Sequence, residues 1–291
     1  MNAEEQARAD IVEVGRRLWQ RGYVASNDGN ISVRLDETRL MTTPKNVSKG
    51  FMTPDMMVIT DLDGRKLQGD RDPSSEMLMH LEVYRQRADV QAVVHAHPPT
   101  ATGFAVAGIA LDRAVLAEVL TTLGSIPIAE YATPSTAELP QAVRKYIKAH
   151  DGMLLANHGA LTVGPDVFAA YYKMETIEHF AKISLVARML GRENLIAREE
   201  VDRLQELRGT YGIQAPAPIC ADPLAPIEAD QLTCQTVQAP SGGGARLVPD
   251  TPGPGATGDS SAKPSAENDQ EIRLTYRELS ALIEDAIRSL R

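Results

Sequence analysis

The stretch QAVVHAHPPTATG, residues 91–103, sets a short apolar, β-branched run before two histidines, a proline pair and a small-residue segment. Such a run reads as a buried strand. The segment after the prolines reads as a helix over residues 99–107. Side chains alternate along a strand, so His95 and His97 point to one face. Two imidazoles on one face are either a pair of metal ligands or two polar residues at a strand exit, and the pair alone leaves both readings open.

Working outward, residues 3–21 carry Ile11, Val14, Leu18 and Trp19 on one helical side, closed by Gly22. Short strands are expected at NISVRL, RLMTT and MMVIT, and Asp63-Gly64 signals a hairpin turn. A helix over residues 73–87 precedes the His-x-His strand. A strand near SIPIAEY, a helix over residues 136–149 and a strand pair in GMLLANHGALTVG follow. Helices over residues 166–190 and 199–207 complete the body. Hairpin-linked strands with helices packed on them indicate an α/β or α+β sandwich.

At 291 residues, 43% of them hydrophobic, the chain can bury a sizeable core. A net charge of −9 argues against nucleic acid as a general partner. The polar, acidic start MNAEEQARAD does not read as a signal peptide, and no apolar run reaches the roughly 20 residues of a membrane span. Cys220 and Cys234 fall outside the body, so neither a disulfide framework nor a thiolate site is expected. The expected setting is cytoplasmic.

A third histidine repeats the grammar of the first two. In MLLANHGAL an apolar strand ends at Asn157, His158 and Gly159, and a glycine there permits close approach of backbone or ligand. Three imidazoles at strand ends suit a catalytic Zn²⁺ or similar ion with open positions for water or substrate. The bland reading of His158 is a hydrogen-bonded strand-end residue. His80 and His179 lie within amphipathic helices and read as packing or surface residues, and His150, before Asp151-Gly152, reads as a solvated turn residue.

DPSSEMLMHLEVY places Ser74, Ser75 and Glu76 at a helix start. They can serve as a cap and a dipole-matched acid. The same groups can bind an anion and relay a proton beside a metal. SNDGNISVRL, with Gly29 and Asn30, and TTPKNVSKG, with Thr43, Lys45, Asn46 and Lys49, add two polar loops.

DGNISVR, TTP, PSSE, VVHAHP, PIAEYAT and LLANHGAL, in this order over residues 2–214, resemble the class II aldolase/adducin family, in particular its sugar-phosphate aldolases. The resemblance implies an αβα sandwich, a homotetramer with sites at subunit interfaces, and one divalent metal per chain, usually zinc. It implies that His95, His97 and His158 ligate the metal and that Glu76 is the acid/base and an additional ligand before substrate arrives. Gly29, Asn30, Thr43, Lys45, Asn46, Ser74 and Ser75 match phosphate-binding positions, and Tyr211 a tyrosine that closes over the site. The expected substrate is a ketose 1-phosphate, L-fuculose 1-phosphate or L-rhamnulose 1-phosphate. The family pattern reads Thr-Pro-Thr-Gly where this chain has Thr43-Pro44-Lys45-Asn46, and Leu116 stands where a second site tyrosine is usual. Within the same fold, epimerases usually carry aspartate at position 76. Dehydratases and decarboxylases share the three histidines, whereas adducin-like interaction modules lack the intact set.

The expected domains are a catalytic body over 1–218, a linker over 219–269 and a helix over 270–291. The linker is rich in Pro, Gly, Ser and Ala, with seven acids against two bases, a net of −5. Beyond it, Leu274, Tyr276, Leu279, Ile283, Ile287 and Leu290 recur at helical spacing as an apolar stripe. Body, linker and terminal amphipathic helix together resemble cargo enzymes of bacterial microcompartments. The resemblance implies that this helix binds shell protein or fellow cargo.

Overall fold

A computed structural model describes residues 2–211 and residue 213. The linker, the terminal helix and Cys220 and Cys234 lie outside the described residues, as does the 218/219 boundary. Helix α1 (Ala3–Gln20) opens with a capping box: Asn2 accepts from the Glu5 N–H at 2.8 Å, and Glu5 accepts from the Asn2 N–H at 2.9 Å. The strands are β1 (Asn30–Arg34), β2 (Arg39–Thr42), β3 (Val58–Asp61), β4 (Lys66–Gln68), β5 (Ala92–Ala96), β6 (Ile128–Ala129), β7 (Gly152–Leu155) and β8 (Gly159–Gly164). The remaining helices are α2 (Met77–Gln86), α3 (Pro99–Val106), α4 (Ala117–Thr122), α5 (Glu138–Ile147), α6 (Val167–Met189) and α7 (Arg198–Thr210).

All eight strands form one sheet in the order β4-β3-β2-β1-β5-β8-β7-β6, antiparallel except for β6 with β7. Its two faces bury separate cores. One gathers side chains from α1, α3 and α6, the other from α2 and α5, so the expected αβα sandwich is the fold. Strand alternation sorts β5 between them: Ala92, Val94 and Ala96 join the first core, and Val93 the second. Val93 and Val94 are fully buried, each stabilising the sheet by roughly 1.5–3 kcal/mol.

Pairing direction concentrates the site. β1 and β8 both run antiparallel to β5, so the start of each lies beside the end of β5. Asn30 pairs with His95, and Ala160 with Ala96. His95 faces the α2 layer, where Glu76 stands at the helix start.

Four local expectations are corrected. Helix α2 starts at Met77, not residue 73, because Pro73 bridges to Pro44 and the Lys45 N–H bonds the Asp72 carbonyl, holding this segment extended. Neither Ser74 nor Ser75 caps it; Glu76 occupies the N-cap position, its own N–H reaching Ser74 Oγ at 3.3 Å. Trp19 is 43% exposed and packs edge-on against Phe51, outside the core. His150 is buried, because its turn is covered by Arg87 and Lys173, both paired with Asp151, and its Nδ1 lies 3.0 Å from the Ser125 carbonyl.

Candidate metal centre

His95, His97 and His158 each offer one ring nitrogen, all within 4.8 Å of one another. His95 leaves β5 towards the α2 layer, His97 follows one residue past the strand, and His158 sits in the β7–β8 turn after Asn157, which adopts φ 55°. Gly159 is required here: a Cβ would lie 2.5 Å from the His97 ring and 2.6 Å from the Ala96 carbonyl. Gly29, at φ +70°, is equally constrained, since a Cβ would meet the His95 carbonyl at 2.8 Å.

The hydrogen bonds fix where the lone pairs point. His95 Nδ1 lies 2.9 Å from the Ala160 carbonyl, which only accepts, so Nδ1 carries the proton and Nε2 faces the cluster unprotonated. His97 Nδ1 lies 3.5 Å from Asp28 Oδ2, which directs its Nε2 inward in the same way. The two Nε2 atoms are 3.0 Å apart. Two lone pairs at that distance repel, and a cation between them removes the conflict. His158 Nδ1 is buried with no hydrogen-bond partner among the described residues. Neutral imidazoles oriented by a carbonyl and a carboxylate are the donor set of a divalent-metal site, so the residues present fit such an ion. Burial pushes the pKa of His95 and of His97 down, which keeps both rings able to ligate at pH values below the ordinary histidine range.

Glu76 completes the cluster. Its Oε2 accepts from Asn30 Nδ2 at 2.8 Å and lies 3.3 Å from His95 Nε2; its Oε1 lies 3.2 Å from His158 Nε2. Burial opposes ionisation of Glu76, but the contact with His158 and the hydrogen bond from Asn30 outweigh it and hold the pKa below the usual carboxylate range. A neutral His95 cannot lower Glu76, and complete burial of that ring favours the neutral form. The anion on Glu76 therefore rests on the Asn30 amide, on His158 and on whatever cation the histidines hold.

A cavity of about 220 Å³ opens on the cluster. Of the residues expected to bind phosphate, Gly29, Asn30, Lys45, Asn46, Ser74 and Ser75 line it. The Pro44–Pro73 bridge explains how the 43–46 loop comes to face the serines. Thr43 stands apart: it is fully buried, and its hydroxyl accepts from the Ile31 N–H. Tyr211, 65% exposed at the end of α7, does not line the cavity. Asp28, from the DGNISVR motif but not singled out there, lines it too, as do Pro134 and Ser135, which carry no local sequence signal. Lys49 also contributes: its ammonium is buried, donates to the Asn27 and Val47 carbonyls, and has its pKa lowered to about 8 by desolvation.

A three-histidine cluster with an adjacent carboxylate, at the converging strand ends of an αβα sandwich, is the arrangement of a metal-dependent lyase. Residues 9–185 match the Class II Aldolase and Adducin N-terminal domain, and the chain belongs to that family. It is similar to 3-oxo-tetronate 4-phosphate decarboxylase of Pectobacterium atrosepticum, 31% identical over 190 residues, covering 64% of this chain and 87% of the relative. It is 30% identical over 212 residues to 5-deoxy-D-ribulose 1-phosphate aldolase of Bacillus thuringiensis, covering 72% of this chain and 99% of the relative. Among solved structures, an L-fuculose 1-phosphate aldolase superposes with TM-score 0.65 at 29% identity, covering 71% of this chain and 96% of that one. Among the described residues, no helix is long and apolar enough to cross a membrane.

Proposed function

We propose that the protein is a zinc-dependent aldolase that cleaves a ketose 1-phosphate to dihydroxyacetone phosphate and an aldehyde. The preferred substrate is L-fuculose 1-phosphate, with L-rhamnulose 1-phosphate as a second, and the aldehyde is then L-lactaldehyde. The observation that carries this reading is Glu76 Oε1, a buried carboxylate oxygen with no hydrogen-bond partner among the described residues, 3.2 Å from His158 Nε2, on a residue that lines the cavity. It is an acid/base placed where a proton must be delivered.

When bound, a divalent cation supplies Lewis-acid polarisation of the ketone and takes up developing negative charge. The chain supplies the rest. His95, His97 and His158 hold the ion. Ser74, Ser75, Lys45 and the Gly29-Asn30 turn receive the phosphate, with Lys45 adding a positive charge that the usual loop lacks. As the C3–C4 bond breaks, the ionised Glu76 takes up the C4 hydroxyl proton, and its Oε1 then delivers that proton to C3, giving dihydroxyacetone phosphate. Tyr211 is assigned to the aldehyde end, within a homotetramer whose sites lie at subunit interfaces.

The test is a substrate panel read by product. Fuculose, rhamnulose and 5-deoxyribulose 1-phosphates are expected to release dihydroxyacetone phosphate, with lactaldehyde from the first two and acetaldehyde from the third. Lys45 and the decarboxylase relative favour a second reading on sugar-acid phosphates. Exclusive carbon dioxide release from 3-oxo-tetronate 4-phosphate, or exclusive 4-epimerisation of a pentulose phosphate, overturns the aldolase assignment.

The 270–291 segment supports a second, independent proposal. Its apolar stripe follows a charged, Pro/Gly-rich linker of about fifty residues, too long a tether for a helix meant only to pack locally. We assign it to microcompartment shell protein or fellow cargo, a setting that confines a reactive aldehyde. Deleting residues 270–291 is expected to abolish shell co-purification and leave kcat unchanged; retained co-purification or collapsed activity refutes this.

A further inference from the structure

Glu76, His80 and Tyr84 stand at four-residue intervals from the start of α2, so they form one stripe along it. Asn30 and Ser32, two apart on β1, face that stripe. The five side chains make one buried chain of hydrogen bonds. Tyr84 Oη lies 2.9 Å from Ser32 Oγ, Ser32 Oγ 2.6 Å from His80 Nδ1, and His80 Nε2 2.5 Å from Asn30 Oδ1. Asn30 Nδ2 then donates to Glu76 Oε2 at 2.8 Å.

Donor counting gives this chain one direction. An ionised Glu76 only accepts, so Asn30 must present its NH₂ to Glu76 and its carbonyl to His80. His80 must then donate from Nε2, which leaves Nδ1 as an acceptor for the Ser32 hydroxyl, and Ser32 in turn accepts from Tyr84. The reverse orientation would set the Asn30 carbonyl against the Glu76 carboxylate. Burial supports the assignment, since it lowers the His80 pKa to about 4 against the opposing charge of Glu76, leaving one ring proton at neutral pH.

We propose that His80 is a positioning residue for catalysis: its Nε2–H locks the Asn30 amide so that Asn30 anchors Glu76 Oε2 and leaves Oε1 free to move the proton. This rests on the acid/base reading of Glu76. A histidine on an amphipathic helix reads as packing, and His80 is indeed fully buried, but its neighbours are polar and lead to the reaction centre. A misplacement of about 1 Å in a catalytic group can lower a rate about 10²-fold, which sets the scale.

The experiment compares His80→Phe, His80→Gln, Asn30→Ala, the Asn30→Ala/His80→Phe pair and Glu76→Gln on L-fuculose 1-phosphate, or on the best-cleaved member of the panel. His80→Phe is expected to lower kcat about 10–100-fold with KM within about threefold and metal content unchanged. His80→Gln, whose amide can still donate to Asn30, is expected to recover most of that loss. The double variant is expected to fall no further than Asn30→Ala alone, because His80 acts through that amide. A near-normal kcat in His80→Phe, equal losses in the Phe and Gln variants, or losses that multiply in the double variant would each overturn the inference. Nitrogen-15 NMR of the unsubstituted enzyme is the second measurement, independent of turnover and of variant folding. His80 is expected as the neutral Nε2–H tautomer from pH 5.5 to 8, and an Nδ1–H tautomer or an imidazolium refutes the proposal. An inactive Glu76→Gln beside a fully active His80→Phe defeats this inference alone; a fully active Glu76→Gln defeats the acid/base reading beneath it.

Discussion

His95→Ala is expected to yield a folded protein that no longer retains metal through dialysis and whose kcat/KM is down by at least about 10³-fold. The size follows from the chemistry. Stabilising the charge that develops on the ketone oxygen is worth several kcal/mol, and about 4 kcal/mol is a factor of about 10³. An open catalytic site has three protein ligands to begin with, so losing one leaves too few to hold the ion. His95 is the most consequential choice because it is fully buried, its Nδ1–H is fixed by the Ala160 carbonyl, and its Nε2 lies 3.0 Å from His97 Nε2 and 3.3 Å from Glu76 Oε2. The fold should survive, since the β5 pairings with β1 and β8 run through backbone groups. Metal analysis per chain and circular dichroism separate loss of metal from loss of structure. Chelated unsubstituted protein should lose activity in parallel and regain it when Zn²⁺ is returned. Full turnover by thoroughly chelated, metal-free protein would refute the metal requirement.

What the sequence shows of this centre depends on how local each signal is. The His-x-His pair is legible because strand alternation alone sets both rings on one face. His158 is legible because a polar residue and a glycine interrupt an apolar strand pair. Glu76 is visible only as one of two meanings of a helix start, and ordered motifs from distant segments decide between them. The structure places it at the N-cap and aims it sideways at His95, a direction set by the extended Pro73 segment pinned to Pro44.

The missed features are held by partners far along the chain. Helix α4 is six residues long and carries β-branched positions, so its own propensity is weak. It exists because α7 packs on it, with Gln205 donating to the Leu120 carbonyl and Arg208 to the Thr121 carbonyl. His150 looks like a solvated turn residue until Arg87, sixty-odd positions earlier, and Lys173 cover the turn. Asp28 becomes a partner of His97 only through the folded β1–β5 pairing. Periodicity reports which face of an element is apolar, and says nothing of which polar groups meet across two elements.

Glu76→Gln separates holding the metal from moving the proton. The amide nearly matches the carboxylate in shape, and its carbonyl oxygen can still accept from Asn30 Nδ2, so the side chain should stay where it is. Three histidines remain to bind the ion, so metal content should change little. The group can no longer give a proton to carbon, and loss of a positioned acid/base typically lowers turnover by 10²–10⁴-fold. The expected result is therefore a kcat about 10²–10⁴-fold lower, with about one metal per chain and KM changed much less. Glu76→Asp refines the test, because it keeps the acid but withdraws it by one methylene from His158 and from the cavity. A partial loss in Asp beside a deep loss in Gln identifies proton transfer as the role. Equal, deep losses together with metal depletion in both would mean that Glu76 serves chiefly as a ligand. Near-normal turnover in Glu76→Gln would show that another group moves the proton, Lys49 being a buried candidate that lines the same cavity.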